Sequence, residues 1–186
     1  TELSLEGRYD KEKRSVDNNV PATTSALYYG GGAPINPAMT AGGSKIPSRD
    51  KSYDQFQPKI SLTTTAENTT VYASYGVGFR SGGFNSSGSA ALINSQLNIP
   101  VSAGLGVSDS FNKEVSKSFE VGFKGRYLDG RLAINGAIFE TEVDDNQFFE
   151  FFAGPWGLLR VVTSIDQLDI SGSELDFKYA LTDSIR

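Results

Sequence analysis

The sequence predicts an all-β chain, an antiparallel up-and-down array of about six strands of the kind that closes into a transmembrane β-barrel. Three observations point there. Six runs alternate apolar and polar residues, the two-residue period of a strand. The connections between them alternate strictly in length, long then short, which puts all tight turns at one end of the array and all long loops at the other. Mean hydropathy is only −0.28, and no apolar run approaches 20 residues, so no transmembrane helix is encoded. Barrel strands, which face lipid on one side and water on the other, average to such a value.

The first run extends from Glu2 to about Lys13, with Leu3, Leu5, Gly7 and Tyr9 in phase. The second, about Tyr53 to Ala66, sets Phe56, Pro58, Ile60 and Leu62 against Gln57, Lys59, Ser61 and Thr63. The third, Thr69 to about Arg80, sets Val71, Ala73, Tyr75, Val77 and Phe79 against small or polar residues. At about 11 residues it has the length that a tilted strand needs to cross the hydrocarbon core. The fourth runs from about Lys117 to Tyr127, where Phe119, Val121, Phe123, Gly125 and Tyr127 oppose Ser118, Glu120, Gly122, Lys124 and Arg126. The fifth, Arg131 to about Phe149, carries Leu132, Ile134 and Ile138 on one face, with Ala133, Ala137 and Phe139 blurring the contrast. The sixth, about Arg160 to Leu181, is clearest where Leu175, Phe177, Tyr179 and Leu181 oppose Glu174, Asp176, Lys178 and Ala180. The last two are long enough to project beyond a bilayer.

The short connections are Glu67–Asn68, Asp129–Gly130 and Thr182–Asp183–Ser184. Asp-Gly is a strong hairpin signal because both residues tolerate positive φ. The long connections are residues 14–52, rich in Gly and Pro, residues 81–116, rich in Ser, Gly and Asn, and residues 150–159, with Gly154-Pro155-Trp156-Gly157. In a membrane barrel the short turns are periplasmic and the long loops extracellular. Tyr127 and Tyr179 lie near short turns, and Phe56, Phe79 and Phe119 near long loops, the positions of the two aromatic girdles. Spacing alone leaves a second architecture open, a soluble β-sandwich in which the same aromatics fill a core.

Composition narrows the chemistry. The 186 residues include no Cys and no His. Thiolate and imidazole metal sites, Cys nucleophiles, Ser-His-Asp triads and disulfides are therefore excluded. With 17 Lys+Arg against 22 Asp+Glu, a net charge of −5, the balance argues against a nucleic-acid partner. Thr1 opens inside an alternating run and the one methionine is Met39, so the chain is expected to be a section of a longer protein.

Several segments then resemble one family. Val71-Tyr72-Ala73-Ser74-Tyr75-Gly76-Val77-Gly78-Phe79-Arg80-Ser81-Gly82-Gly83-Phe84-Asn85 resembles the "tlYaSya.GfrpGgfn" segment of TonB-dependent outer-membrane receptors. Phe56-Gln57-Pro58-Lys59-Ile60-Ser61-Leu62 resembles the strand before it. Phe111 to Gly125 is similar to "y.pE.s.syEvGlKg". Asp129-Gly130-Arg131-Leu132 with Asn135, Phe139 and Asp145-Asn146-Gln147 is similar to the next strand, and Ser171-Gly172-Ser173-Glu174-Leu175 to the one after. Leu5 to Asp10 resembles the strand that precedes them all. The blocks keep the family's order over most of residues 53–181. Lys113 and Ser81 depart from it, standing where Pro, or Pro and Lys, are common.

The resemblance implies a piece of the C-terminal β-barrel domain of such a receptor, with the plug and the remaining strands outside the chain. It implies the outer membrane of a Gram-negative bacterium, import of a scarce ligand such as a ferric siderophore or other iron complex, and energy supplied by a TonB-type partner acting on the plug. It implies a monomeric barrel in contact with outer-membrane lipid, with no cofactor and no enzymatic step.

Candidate ligand contacts are then loop residues. Tyr28 and Tyr29, with Met39 nearby, are either an aromatic grip on the ligand or part of a self-packed loop. Arg80, with Phe84 and Asn85, either meets an anionic chelate or pairs with a carboxylate of the barrel interior. Phe151, Phe152 and Trp156, within Phe148–Trp156, form a ligand platform, enter the outer leaflet or extend the upper girdle. Asp144, Asp145 and Asp183 fall too far apart for a metal site. Glu140 and Glu142 share a strand face, about 6–7 Å apart, a spacing that does not exclude a glycosidase pair, but nothing in the sequence suggests the cleft such a pair needs.

Overall fold

In the computed structural model, residues 1–17, 47–97, 106–154 and 157–181 are described. Six long strands form one antiparallel sheet: β1 (Glu2–Val16), β2 (Arg49–Ala66), β3 (Thr69–Arg80), β6 (Glu114–Tyr127), β7 (Leu132–Gly154) and β8 (Gly157–Tyr179). They lie in the order β1-β2-β3-β6-β7-β8, so each pairs only with its neighbours in sequence. Between β3 and β6 sits a two-stranded pair, β4 (Gly83–Phe84) with β5 (Ser110–Phe111), and one helix, α1 (Ser89–Gln96).

The register carries the alternation from strand to strand. Leu5 pairs with Ile60, Ile60 with Tyr75, Tyr75 with Phe119; Leu3 leads through Leu62, Ala73 and Val121 to Ile138. All expected apolar residues therefore share one side of the sheet, because directly paired residues point the same way. Among the described residues nothing covers that side: Leu5, Ile60, Val71, Phe119, Ile138, Leu175 and Phe177 are exposed. Its opposite is polar and internally bonded. The Tyr72 hydroxyl donates to Glu120 at 2.6 Å, Asn135 donates to Asp176 at 3.1 Å, and the Ser118 and Thr141 hydroxyls share a bond of 2.9 Å. A soluble sandwich would bury the apolar side; this sheet leaves it bare.

Two turns form as their residues require. Asp129 and Gly130 have φ of 54° and 85°, and Arg131 N–H donates to Leu128 C=O at 3.1 Å. Positive φ at both central residues is the type I′ pattern that suits the strand twist. Glu67, at φ 49°, turns the β2–β3 hairpin with Asn68. The expected turn at 182–184 lies outside the described residues.

Two expectations need correction. Residues 150–159 are no long loop. β7 and β8 pair residue by residue to Gly154 opposite Gly157, leaving only residues 155–156 as the connection. The strict alternation of long and short connections fails there. The Phe-rich segment is strand because Phe148–Phe152 continue the ladder against Thr163–Leu159, and Gly154 and Gly157 flank the sharp reversal. At 23 residues each, these two strands far exceed the 9–11 needed to cross a bilayer. Residues 81–116 are not all loop either. Ser89–Gln96 contains helix-favouring Ala and Leu, and Ala90 and Ile93, three apart on one helix face, pack with Val107 and Val161 in a small core.

Candidate functional site: the mouth and the two faces of the wall

On the apolar face, each strand changes character at a definite residue. Outward from the short turns, the last apolar side chain is Tyr9 on β1, followed by Lys11 and Lys13. On β2 it is Phe56, followed by Asp54, and β3 stays apolar to Phe79; on β6 the apolar run is broken after Phe119 by Lys117, with Val115 beyond it, and on β7 it is broken after Ile138 by Glu140, Glu142 and Asp144. Tyr9 is directly opposite Phe56, but Phe119 is opposite Glu140. The boundary thus slips toward the short-turn end from β1 to β7. A plane cutting tilted strands crosses register rows at an angle, so a slanted boundary is what a tilted, staggered wall produces. Near the other end Tyr127 is opposite Leu132, and Leu132 opposite Tyr179. Phe119 to Tyr127 spans nine residues, matching the hydrocarbon thickness for a tilted strand.

Just past this boundary the Lys117 ammonium donates to Glu142 and Asp144, 2.8 Å from each. Three charges on the apolar side are tolerable only clear of the hydrocarbon core. Among the described residues no cluster suited to a metal ion is present.

The loop candidates part company in the structure. Tyr28, Tyr29, Met39, Trp156 and Asp183 lie outside the described residues. Arg80 ends β3 on the polar face with a side chain 65% exposed, 3.9 Å from Glu114. Glu114 is more closely held by Gln147 N–H at 2.7 Å and the Asn146 amide at 3.2 Å, so Arg80 keeps most of its donors toward solvent. Phe84 is half-buried with the Arg49 guanidinium 5.3 Å from its ring centre. Asn85 is buried, and its side-chain N–H groups donate to Ser108 and Val162 carbonyls at 2.8 and 2.9 Å. Its carbonyl accepts from Val162 N–H at 2.7 Å. Asn85 thus spends its amide inside the protein. Phe151 is 57% exposed, in register with Arg160, whose guanidinium sits 4.8 Å from the Phe149 ring centre. Phe149 and Phe151 meet edge to face at 5.7 Å. Phe152 packs instead on the small core under α1. Arg80, Phe84, Asn85, Phe151 and Phe152 therefore do not converge on one pocket.

The residues that hold the mouth together were not singled out in the sequence. The Gln147 amide donates to Ser81 C=O at 2.9 Å and Asn112 C=O at 3.0 Å. The Tyr53 hydroxyl donates to Phe111 C=O at 3.3 Å, and the Ser81 hydroxyl to Glu12 at 2.7 Å. Lys113 donates to Asp54 C=O at 2.6 Å and to the Gln55 amide oxygen at 2.8 Å. The signal was Gly82-Gly83. A Cβ on Gly82 would meet Phe111 C=O and the Tyr53 ring, and one on Gly83 would meet the Phe111 ring at 2.7 Å. Adjacent glycines mark backbone pressed against its neighbours.

A family model described as "TonB dependent receptor-like, beta-barrel" matches residues 2–185. Among solved structures, a copper transporter, OprC, superposes with a TM-score of 0.57 at 19% identity, over 97% of this chain and 25% of that one. A double mutant of the Serratia marcescens hemophore receptor HasR, in complex with its hemophore HasA and heme, superposes with a TM-score of 0.52 at 18% identity, over 96% and 29%. The chain spans between a quarter and a third of the length of these structures.

Proposed function

The chain belongs to the TonB-dependent receptor family, and from that premise we propose that it is six adjacent strands of the C-terminal barrel of an outer-membrane import receptor. Its apolar side meets lipid in a Gram-negative outer membrane and its polar side lines the lumen. The whole receptor imports a scarce metal complex, a ferric siderophore or other iron complex. A TonB-type partner supplies the energy through a plug domain encoded elsewhere in the protein. The wall does no bond chemistry; it supplies shape, a polar lining and a mouth. The observation that carries this reading is the match of the barrel family over residues 2–185. The uncovered apolar face and its slanted boundary support it physically.

The mouth offers two sets of contacts. Arg80 presents a mostly free guanidinium on the lumen side, suited to an anionic chelate. Phe149, Phe151 and Arg160 present an aromatic and cationic surface on the projecting hairpin. The two structural neighbours are named for copper and for a heme-carrying hemophore, which supports a metal complex as the cargo here, with an iron complex the narrower proposal.

The test is uptake of labelled ferric complexes by cells expressing the full-length protein as their sole such receptor. Uptake should need an energised inner membrane and the TonB-type partner; uptake that survives loss of both would sink the proposal. Arg80→Ala should leave the stability of the barrel within about 0.5 kcal/mol while weakening binding of an anionic complex. Unchanged binding would assign Arg80 to its Glu114 pairing alone.

A further inference from the structure

The outer edge of β8 pairs with no strand among the described residues, yet at one point it is closed. In an antiparallel ladder a residue's N–H and C=O point to the same neighbour. At Val162 both point away from β7 and end on a single side chain, the Asn85 amide, which accepts at 2.7 Å and donates at 2.9 Å. Asn85 imitates the strand that would otherwise pair there. Its backbone N–H donates to Asp109 C=O at 2.9 Å and its remaining side-chain donor reaches Ser108 C=O at 2.8 Å, so both limbs of the segment are tied to the same spot. Asn94 makes the same two-bond clasp on Val107, at 2.8 and 2.9 Å. Beneath it Val161 and Ile93 are each 0% exposed, packed with Ala90 and Val107. At its other end the segment is fixed to β2 by Tyr53 and to β7 by Gln147.

We infer that residues 81–97 and 106–112 form a fixed strap across the mouth, and that Asn85 is the positioning residue that closes the edge of β8 at Val162. The next strand of the intact barrel therefore stops pairing with β8 short of Val162, and above that level the wall is sealed by the strap. A free strand edge invites wrong pairing, and one buried amide satisfying both groups removes that hazard. The inference does not depend on which ligand the receptor carries.

Hydrogen exchange at the Val162 amide, measured in the full-length protein in micelles, tests it. Asn85→Ala should speed exchange there about tenfold or more. Asn85→Asp, which keeps the acceptor but sets a carboxylate with no donor against the Ser108 and Val162 carbonyls, should lose protection as well. Equal protection in wild type and Asn85→Ala would mean that a neighbouring strand holds the amide, and would overturn the inference. A cysteine pair at Val107 and Val161, in a protein with Asn85 intact, provides a second reading. Oxidation should link strap to strand in nearly all molecules, and failure to link would equally overturn the assignment.

Discussion

At the scale of single residues, facing decides cost. Phe123 points to the apolar side, opposite Val71 and Gly136, with its ring over the glycine. Phe123→Arg should destabilise the intact barrel by about 2–4 kcal/mol in a folding titration into bilayers. A control on the polar side must have room. Gly122 lacks it, since a Cβ there would meet the Tyr72 ring and hydroxyl and Gly136 C=O. Ser61 lies on the polar face between Ile60 and Leu62, directly opposite the small Ser4 and Ser74, and Ser61→Arg should escape the lipid penalty. Equal losses at the two sites would overturn the assigned facing. This facing was legible in the sequence, because a two-residue period survives translation into structure unchanged. The role of Asn85 was not, since it depends on meeting Val162, 77 residues away in the chain.

At the scale of elements, the β7–β8 hairpin is the feature the sequence concealed. Four phenylalanines and a Gly-Pro-Trp-Gly reversal read as a loop, because an apolar run that neither alternates nor spans a helix carries no period to follow. The structure makes it a ladder. β6 last pairs with β7 at Val115 opposite Asp144, so beyond that level the only strand paired with β7 among the described residues is β8. α1 escaped for a related reason: eight residues in a Ser- and Gly-rich stretch are too few to show a helical period, and Ala90 and Ile93 acquire meaning only against Val161. These placements give a prediction. Deleting residues 148–162 from the full-length protein should leave the barrel able to fold in detergent, since the membrane-crossing rows below Asp144 are untouched. It should also expose residues 81–97 and 106–112 to protease, because Val161 and Val162 are their anchors. A barrel that no longer folds would show the hairpin to be part of the wall's assembly; a segment still resistant would show that its hold lies on Tyr53 and Gln147 alone.

At the scale of the molecule, the question is what holds the sheet together. The described core is small, Ala90, Ile93, Val107 and Val161 with Phe152 and Leu159 beside them, and it belongs to the mouth rather than to the six strands. Along the membrane-crossing rows the strands are joined by backbone bonds and by side-chain pairs on two open faces. Such pairs add only about 0.2–1 kcal/mol each, far too little to offset the ordering entropy of a domain this size. In water, residues 1–186 would also present an uncovered apolar face and two long edges, β1 and most of β8, each a template for another chain. In a bilayer both problems vanish only on closure, when lipid covers the face and further strands pair the edges. The isolated chain should therefore aggregate without detergent, and in detergent should give no cooperative, reversible thermal transition. A soluble monomer with a single sharp melt, measured by circular dichroism and sedimentation together, would mean that the apolar face finds a partner within these 186 residues, and the lipid-facing assignment of Leu5, Ile60, Phe119 and Leu175 would fall with it.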